Sequence, residues 1–421
     1  MVSANAAPRP RSKTQRILGV VAFLLAGGCD NALSPEAVAE PFAQVVAGAR
    51  HACGLTESGR AYCWGRGKQG QLGNGGLDER ARMVPVKDAP RFTRLAAGYY
   101  HTCGLAVDGS LRCWGAGGDI GAGELGNGSG DGSDVPVRVR GDNSYTSVTA
   151  GLTHSCALDR DGAAFCWGRN ADGQLGDGTR LDRLEPARVA GELRFRSLEA
   201  GEQFTCGVAT DGRAYCWGTN LTGQLGSEPS ARCFSGTPCA IVPAAVQGER
   251  RFTSISAGAD HACALATTGE SYCWGRNTMG VLGVGDTLAQ RAPIRAVAGG
   301  HRFALLSPGF SNTCGLTAEG AAYCWGTRDG GQLGTEAASA GCGADRAYCS
   351  AVPLPVAGGS TWKQIDVGVG FTCGVRSDGV VYCWGMNEES QLGVPAASVP
   401  LCRGGELRCS LLPVRVSGQT E

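Results

Sequence analysis

His51-Ala52-Cys53-Gly54-Leu55-Thr56-Glu57-Ser58-Gly59-Arg60-Ala61-Tyr62-Cys63-Trp64-Gly65 is the first of seven stretches in which a cysteine, nine residues and Cys-Trp-Gly follow in order. The pairs are Cys53/Cys63, Cys103/Cys113, Cys156/Cys166, Cys206/Cys216, Cys263/Cys273, Cys314/Cys324 and Cys373/Cys383. Successive second cysteines lie 50, 53, 50, 57, 51 and 59 residues apart. Such a period with strand-like patterning marks a repeat array, and seven units predict a closed propeller.

The internal spacing describes a hairpin. Glycine falls six residues after the first cysteine in every copy, at Gly59, Gly109, Gly162, Gly212, Gly269, Gly320 and Gly379. A three-residue hairpin loop wants a left-handed residue in its last position, which glycine enters without a Cβ penalty. Pairing outward from that loop sets Thr56 opposite Arg60, Leu55 opposite Ala61 and Cys53 opposite Cys63. Residues opposed in this way lie within disulfide reach.

Of 21 cysteines, 14 belong to these pairs. Six more form the short-range couples Cys233/Cys239, Cys342/Cys349 and Cys402/Cys409, each downstream of a Cys-Trp-Gly. Only Cys29 is left over. Reduced cysteines and zinc ligands are the alternatives. Even pairing weighs against the first, and the lack of short ligand spacing against the second.

A disulfide framework needs an oxidising compartment. Arg9, Arg11, Lys13 and Arg16 precede an apolar run from Ile17 to Ala26, followed by Gly27-Gly28-Cys29. That order reads as a signal peptide over 1–28, with an apolar core too short to span a membrane. Leu25-Ala26-Gly27-Gly28-Cys29 resembles a bacterial lipobox, so Cys29 is the expected lipidation site. Leucine stands four rather than three positions before the cysteine, which leaves ordinary signal-peptidase cleavage open. Residues 29–41 are expected to be the lipidated cysteine and a flexible tether, and 42–421 the propeller. The protein is then a cell-envelope lipoprotein on the outer face of an inner or outer membrane, or is secreted.

Glycine makes up 68 of 421 residues but is placed periodically, so disorder is not implied. Net charge is zero, which leaves no electrostatic footprint for nucleic acid. Each repeat reads as four short strands. A hydrophobic stretch such as Phe92-Thr93-Arg94-Leu95-Ala96-Ala97-Gly98 comes first, then the two cysteine arms. A Gly-Gln-Leu-Gly turn such as Gly70-Gln71-Leu72-Gly73 follows, and a proline-containing strand such as Val135-Pro136-Val137-Arg138-Val139 closes the unit.

These motifs, seven times in order from about Phe42 to Val416, resemble the repeat of the regulator of chromosome condensation family. The resemblance implies an all-β, seven-bladed β-propeller with four antiparallel strands per blade. The hairpin pairing adds one disulfide inside each blade. Cysteine stands at two positions where intracellular members carry other residues. A secreted, disulfide-bonded member would not meet the nuclear GTPase on which the family's eponymous nucleotide exchange acts.

Several conspicuous side chains read as scaffold. Seven of the eight tryptophans occupy the repeat position and are expected between blades. His51, His101, His154 and His261 share one position, held elsewhere by Phe204, Asn312 and Phe371. Phenylalanine can replace a packed histidine but not a metal ligand. No Gly-x-Ser-x-Gly elbow, His-Glu-x-x-His or phosphate-cradling loop occurs. Acid pairs such as Glu388-Glu389 are expected to be solvated. The expected sets of catalytic, cofactor and metal-binding residues are therefore empty.

Loops joining strands one to two and three to four emerge on one face, and the uniform hairpin tips on the other. The variable face carries Arg50, Tyr99, Tyr100, Glu202 and Phe310 on an inner ring, and these are the expected partner-binding residues. The reading is an extracytoplasmic, non-catalytic and monomeric scaffold that binds a protein or cell-surface ligand, with no nucleic acid and no membrane contact beyond the anchor. The alternatives are a structural envelope protein and an extracellular enzyme acting on polysaccharide or peptide.

Overall fold

The computed structural model describes residues 37–115, 122–293, 295–337, 342, 349–402 and 405–420. Seven antiparallel sheets follow one another along the chain, each built from consecutive strands. Blade 1 comprises Phe42–Ala47, His51–Thr56, Ala61–Gly65 and Arg80–Pro85. Blades 2 to 7 begin at Phe92, Tyr145, Phe195, Phe252, Phe303 and Trp362. The second strand is buried along its whole length in blades 1, 2, 4 and 5, because both faces of the sheet pack against neighbouring blades. The fourth strand is mostly half-exposed.

Two kinds of departure from four strands occur. In blade 5 the fourth position is held, among the described residues, by the isolated bridges Tyr272↔Ala296 and Gly275↔Gln290. Blades 4 and 7 each gain a short fifth strand from their insertions, Ala231–Arg232 and Leu401–Cys402.

The hairpin register is the expected one. Cys53 faces Cys63, Leu55 faces Ala61, and the Thr56 amide donates to the Arg60 carbonyl at 2.9 Å. The seven hairpin glycines lie at φ between +76° and +95°.

All seven repeat disulfides form, with Cα atoms 4.0 to 4.1 Å apart. In blades 1 to 4 they join Cys53 to Cys63, Cys103 to Cys113, Cys156 to Cys166 and Cys206 to Cys216. In blades 5 to 7 they join Cys263 to Cys273, Cys314 to Cys324 and Cys373 to Cys383. The short-range couples form as well, Cys233 with Cys239, Cys342 with Cys349 and Cys402 with Cys409. In each of these the second cysteine is held in the outer strand of its blade, where Cys239 pairs with Thr219, Cys349 with Thr327 and Cys409 with Met386. The couple thus staples an insertion to the sheet it leaves.

Adjacent blades are joined by one repeated contact. Each repeat tryptophan is fully buried and donates its indole N–H to a backbone carbonyl in the turn of the preceding blade. Trp114 reaches Gln71, Trp167 reaches Glu124, Trp217 reaches Gln174 and Trp274 reaches Gln224. Trp325 reaches Val281, Trp384 reaches Gln332, and Trp64 closes the ring on Gln391. The seven distances span 2.8 to 3.1 Å. Ring closure thus uses the same contact as every other junction, and among the described residues no strand is exchanged between first and last blades.

The histidine position carries a second inter-blade contact. His51, His101, His154 and His261 bond through Nε2 to Thr102, Ser155, Thr205 and Thr313 of the next blade at 2.8 to 2.9 Å. Those hydroxyls donate onward to the turn carbonyls of Gln71, Glu124, Gln174 and Val281. The histidine must therefore donate from Nε2. Asn312 reaches Thr372 in the same way at 3.4 Å. Phe204 and Phe371 stand where the next blade offers Ala262 and Ala52, which have no hydroxyl.

The ring also draws in residues expected to be tether. The Val38 amide donates to the Gly418 carbonyl and Thr420 donates back to Val38, forming a parallel bridge with Gln419. Pairing between the two ends of the described chain gives this segment partners that a free linker lacks. Cys29 and the segment 1–36 lie outside the described residues.

Candidate functional site

The innermost strands leave one edge unpaired toward the central axis, where free N–H and C=O groups need partners. Polar side chains from neighbouring blades supply them. The Gln44 amide both donates to Leu95 O and accepts from Leu95 N, imitating a missing strand. Gln364 accepts from Val45 N, and Thr149 from Ala200 N. Asp366 accepts from Ala47 N at 2.8 Å and from the Ser307 hydroxyl at 2.9 Å. The wall they form encloses a polar channel of about 500 Å³.

Burial in that wall pushes the Glu199 carboxyl up to about 7 and Asp366 up to about 6. Burial also raises Glu124 and Glu202 to about 7. The four inter-blade histidines move the other way, to about 3 for His51, His154 and His261 and about 4 for His101. The signs oppose. A carboxyl with a raised folded pKa stabilises fully at low pH and loses that contribution as pH climbs through 7. A histidine with a depressed folded pKa stabilises fully above 6.5 and loses that contribution as pH falls toward 3. Denaturant unfolding should therefore show the carboxyl contribution falling away between their ordinary values near 4 and about 7, against the histidine contribution that rises up to 6.5, with little further change above about 7.5. Glu199→Gln should remove one part of the carboxyl loss, so that the variant gains stability relative to wild type between about pH 4.5 and 7, by at most ~1.4 kcal/mol per pH unit. A variant whose stability runs parallel to wild type between pH 4.5 and 7 would refute this account.

Toward the variable face the channel narrows at a ring of seven glycines, Gly48, Gly98, Gly151, Gly201, Gly258, Gly309 and Gly368. A Cβ on any of them would lie no more than 2.9 Å from the next blade's glycine carbonyl. Only glycine allows this approach. Just above the ring, Tyr99, Leu152, Glu202, Ala259, Phe310 and Val369 line a mouth of about 90 Å³.

Of the expected partner-binding residues, Tyr99, Glu202 and Phe310 line this mouth. Tyr100 contacts Tyr99 edge-on, with ring centres 5.9 Å apart. The Tyr99 hydroxyl is buried without a hydrogen-bond partner, and burial together with Glu202 holds its pKa above the ordinary value. Arg50 lies apart from the mouth, exposed and 3.5 Å from Glu389. Glu389 is not solvated as expected. Its side chain is only 18% exposed and also binds Arg66 at 3.1 Å, bridging the closing blades.

The disulfide cysteines take no part in the site. None of them lines the channel or its mouth. Cys113, Cys166, Cys273, Cys324 and Cys383 sit on third strands and turn back onto the second strand of their own blade, as Cys63 and Cys216 do. Cys349 and Cys409 lie further out, on fourth strands. Their role is to hold the scaffold, because the axis is reached only by first strands and by the loops that follow them.

Two further charged residues flank this mouth without lining it, Asp260 and Arg276. Arg276 follows a Cys-Trp-Gly, so its position beside the next blade's loop could have been read from the repeat. It pairs with Asp260 at 3.5 Å, donates to the Phe310 carbonyl at 2.8 Å and lies 5.4 Å from the Phe310 ring centre.

The outer loops of the same face carry most of the exposed large hydrophobic side chains. Of ten exposed large hydrophobic residues among those described, six fall in connections between third and fourth strands: Leu77, Leu181, Leu221, Phe234, Leu288 and Leu401. Val107 marks the hairpin face. Among the described residues there is no group of three or more His, Cys, Asp or Glu side chains that could hold a metal. No helix there is long and apolar enough to cross a membrane.

The Regulator of chromosome condensation (RCC1) repeat matches residues 42–71, 92–119, 145–174, 195–224, 252–281 and 362–391 in one form. In a second form it matches 58–105, 161–208 and 211–265. The ultraviolet-B receptor UVR8 of Arabidopsis thaliana is 28% identical over 355 residues, covering 83% of this chain and 66% of that protein. The E3 ubiquitin-protein ligase HERC2 of Homo sapiens is 34% identical over 149 residues, 34% of this chain and 3% of that protein. The chain therefore spans under two thirds of either relative. Prp20p of Saccharomyces cerevisiae, whose binding to Gsp1p and histones is described with its structure, superposes with a TM-score of 0.72 at 20% identity. That superposition covers 91% of this chain and 87% of Prp20p.

Proposed function

The chain belongs to the regulator of chromosome condensation repeat family, and from that premise we propose that it is a non-catalytic, extracytoplasmic scaffold that binds a protein through its variable face. The exposed side chains of the outer loops carry this reading. Six exposed large hydrophobic side chains lie in the variable loops of one face, and variable loops on a rigid scaffold are where recognition concentrates. Family relatives of this fold bind proteins, as Prp20p does.

An oxidising compartment is supported by the ten disulfides among the described residues. The basic, apolar and small-residue order before Cys29 supports export and lipidation. Cys29→Ala should then move the protein from the membrane fraction to the soluble fraction with its melting curve unchanged. Fractionation like wild type would mean that Cys29 is not the anchor.

A photo-crosslinking residue placed at Leu288 should give covalent protein adducts in cells, and one at Val107 on the opposite face should not. Tyr99→Ala with Tyr100→Ala should lower the adduct yield more than tenfold, because hot-spot aromatics typically contribute ~2 kcal/mol or more each. Melting should barely change, since both rings are only partly buried. Equal adducts from both faces, or a large loss of stability in the double variant, would refute the assignment.

A further inference from the structure

Two polar groups at the channel mouth lack partners. The Tyr99 hydroxyl is buried and unbonded. The Glu202 side chain lines the same cavity and makes no hydrogen bond or ion pair among the described residues. Its neighbours Asp260 and Arg276 pair with each other, which leaves Glu202 as the acid of the mouth without a counter-ion. Around these groups the wall is apolar: Leu152, Ala259, Val369 and the rings of Tyr99 and Phe310.

A desolvated carboxylate, a phenol oxygen able to accept a bond and an aromatic face together suit one ligand chemistry, a compact cation on an apolar stem. The cavity of about 90 Å³ has room for roughly three water volumes. That accommodates an ammonium and the methylenes next to it. It does not accommodate a folded element.

We propose that the channel mouth is a socket for a lysine side chain of the protein partner, with Glu202 as counter-ion, the Tyr99 oxygen as second acceptor and the rings of Tyr99 and Phe310 around the stem. The proposal rests on the reading of this face as a protein interface. It adds the chemistry at the centre of that interface, while the exposed side chains of the outer loops supply the surrounding contact. Lysine is favoured over arginine because three rotatable donors on a compact head can serve two acceptors at different heights. A planar guanidinium could fork onto the Glu202 carboxylate, but it is broader than an ammonium and the cavity is only about 90 Å³.

Three blocked tripeptides with glycine on either side of lysine, arginine or norleucine serve as probes, titrated into the intact protein and followed by NMR shifts of the Tyr99 and Phe310 ring protons. The lysine peptide should bind in a saturable way, at least about tenfold more tightly than norleucine, as expected for a charged hydrogen bond. Glu202→Gln should remove that preference while leaving the unligated spectrum otherwise intact. Binding should also weaken between pH 8 and 6. Over that range Glu202 takes up a proton, its carboxyl facing Asp260, Arg276 and Tyr99 and standing near 7. Norleucine binding as tightly as lysine, arginine binding more tightly, or an unchanged Glu202→Gln variant would overturn the proposal.

Photo-crosslinks from Leu288 together with a failed lysine titration would leave the protein interface standing and remove only the socket. Lysine binding without crosslinks would do the reverse.

Discussion

Trp64→Ala should cost about 3–5 kcal/mol of stability, the usual range for emptying a fully buried aromatic site. Trp64 is 0% exposed, packs with Phe371, Leu392 and Val416 of the last blade, and donates to Gln391 at 3.0 Å. A domain stable by about 5–15 kcal/mol would lose a large fraction of its margin, and its denaturant midpoint should fall accordingly. Trp64→Phe retains most of the volume and forfeits mainly the bond to Gln391, at about 1–3 kcal/mol. Trp167→Ala, at an interior junction with the same geometry, should cost as much as Trp64→Ala. The comparison decides whether the ring has a privileged seam. A closing-junction cost below about 1 kcal/mol, with the interior cost intact at its usual size, would show that blades 1 and 7 are held by the paired termini instead.

Reduction of the seven repeat disulfides should unfold the protein. Each closes a short loop of sequence separation 10, which in the chain-entropy account contributes roughly 2–3 kcal/mol. Seven such contributions exceed the stability of an ordinary domain, even allowing for non-additivity. The sulfurs are fully buried, so reductant alone should act slowly and a little denaturant should accelerate it sharply. Cys206→Ala with Cys216→Ala should destabilise the whole ring. Removing Cys233 and Cys239, in an insertion at the edge of blade 4, should leave the global transition almost unmoved. Non-reducing mass mapping should find ten local pairs and no free repeat thiol. Two or more unpaired repeat cysteines would end the framework argument.

The inter-blade relay shows where reading a chain in order stops. His51, His101, His154 and His261 each meet a hydroxyl on the following blade. Phe204 and Phe371 each meet an alanine, Ala262 and Ala52. The exchange of histidine for phenylalanine follows the partner, not the host repeat. The partner lies some fifty residues away, or at the opposite end of the chain for Phe371. A single repeat carries no trace of it.

Local covalent and steric rules made much of this protein legible from its sequence. A glycine six residues after a cysteine imposes a tight hairpin, the hairpin imposes the register, and the register brings the two sulfurs together. Seven recurrences imply the propeller, and the alternation of loops implies which face varies. The tertiary structure alone decided which of those loop residues act together. Glu389 left solvent because ring closure brought Arg50 and Arg66 to it. Arg276 reached the Phe310 carbonyl because adjacent blades converge at the axis. Val38 was drawn into pairing by the other end of the chain. Sequence periodicity reports on contacts within a repeat, where separation is short and geometry is fixed. Charge pairing, burial and the unsatisfied groups of the mouth arise between repeats, where position around the ring determines what each side chain meets.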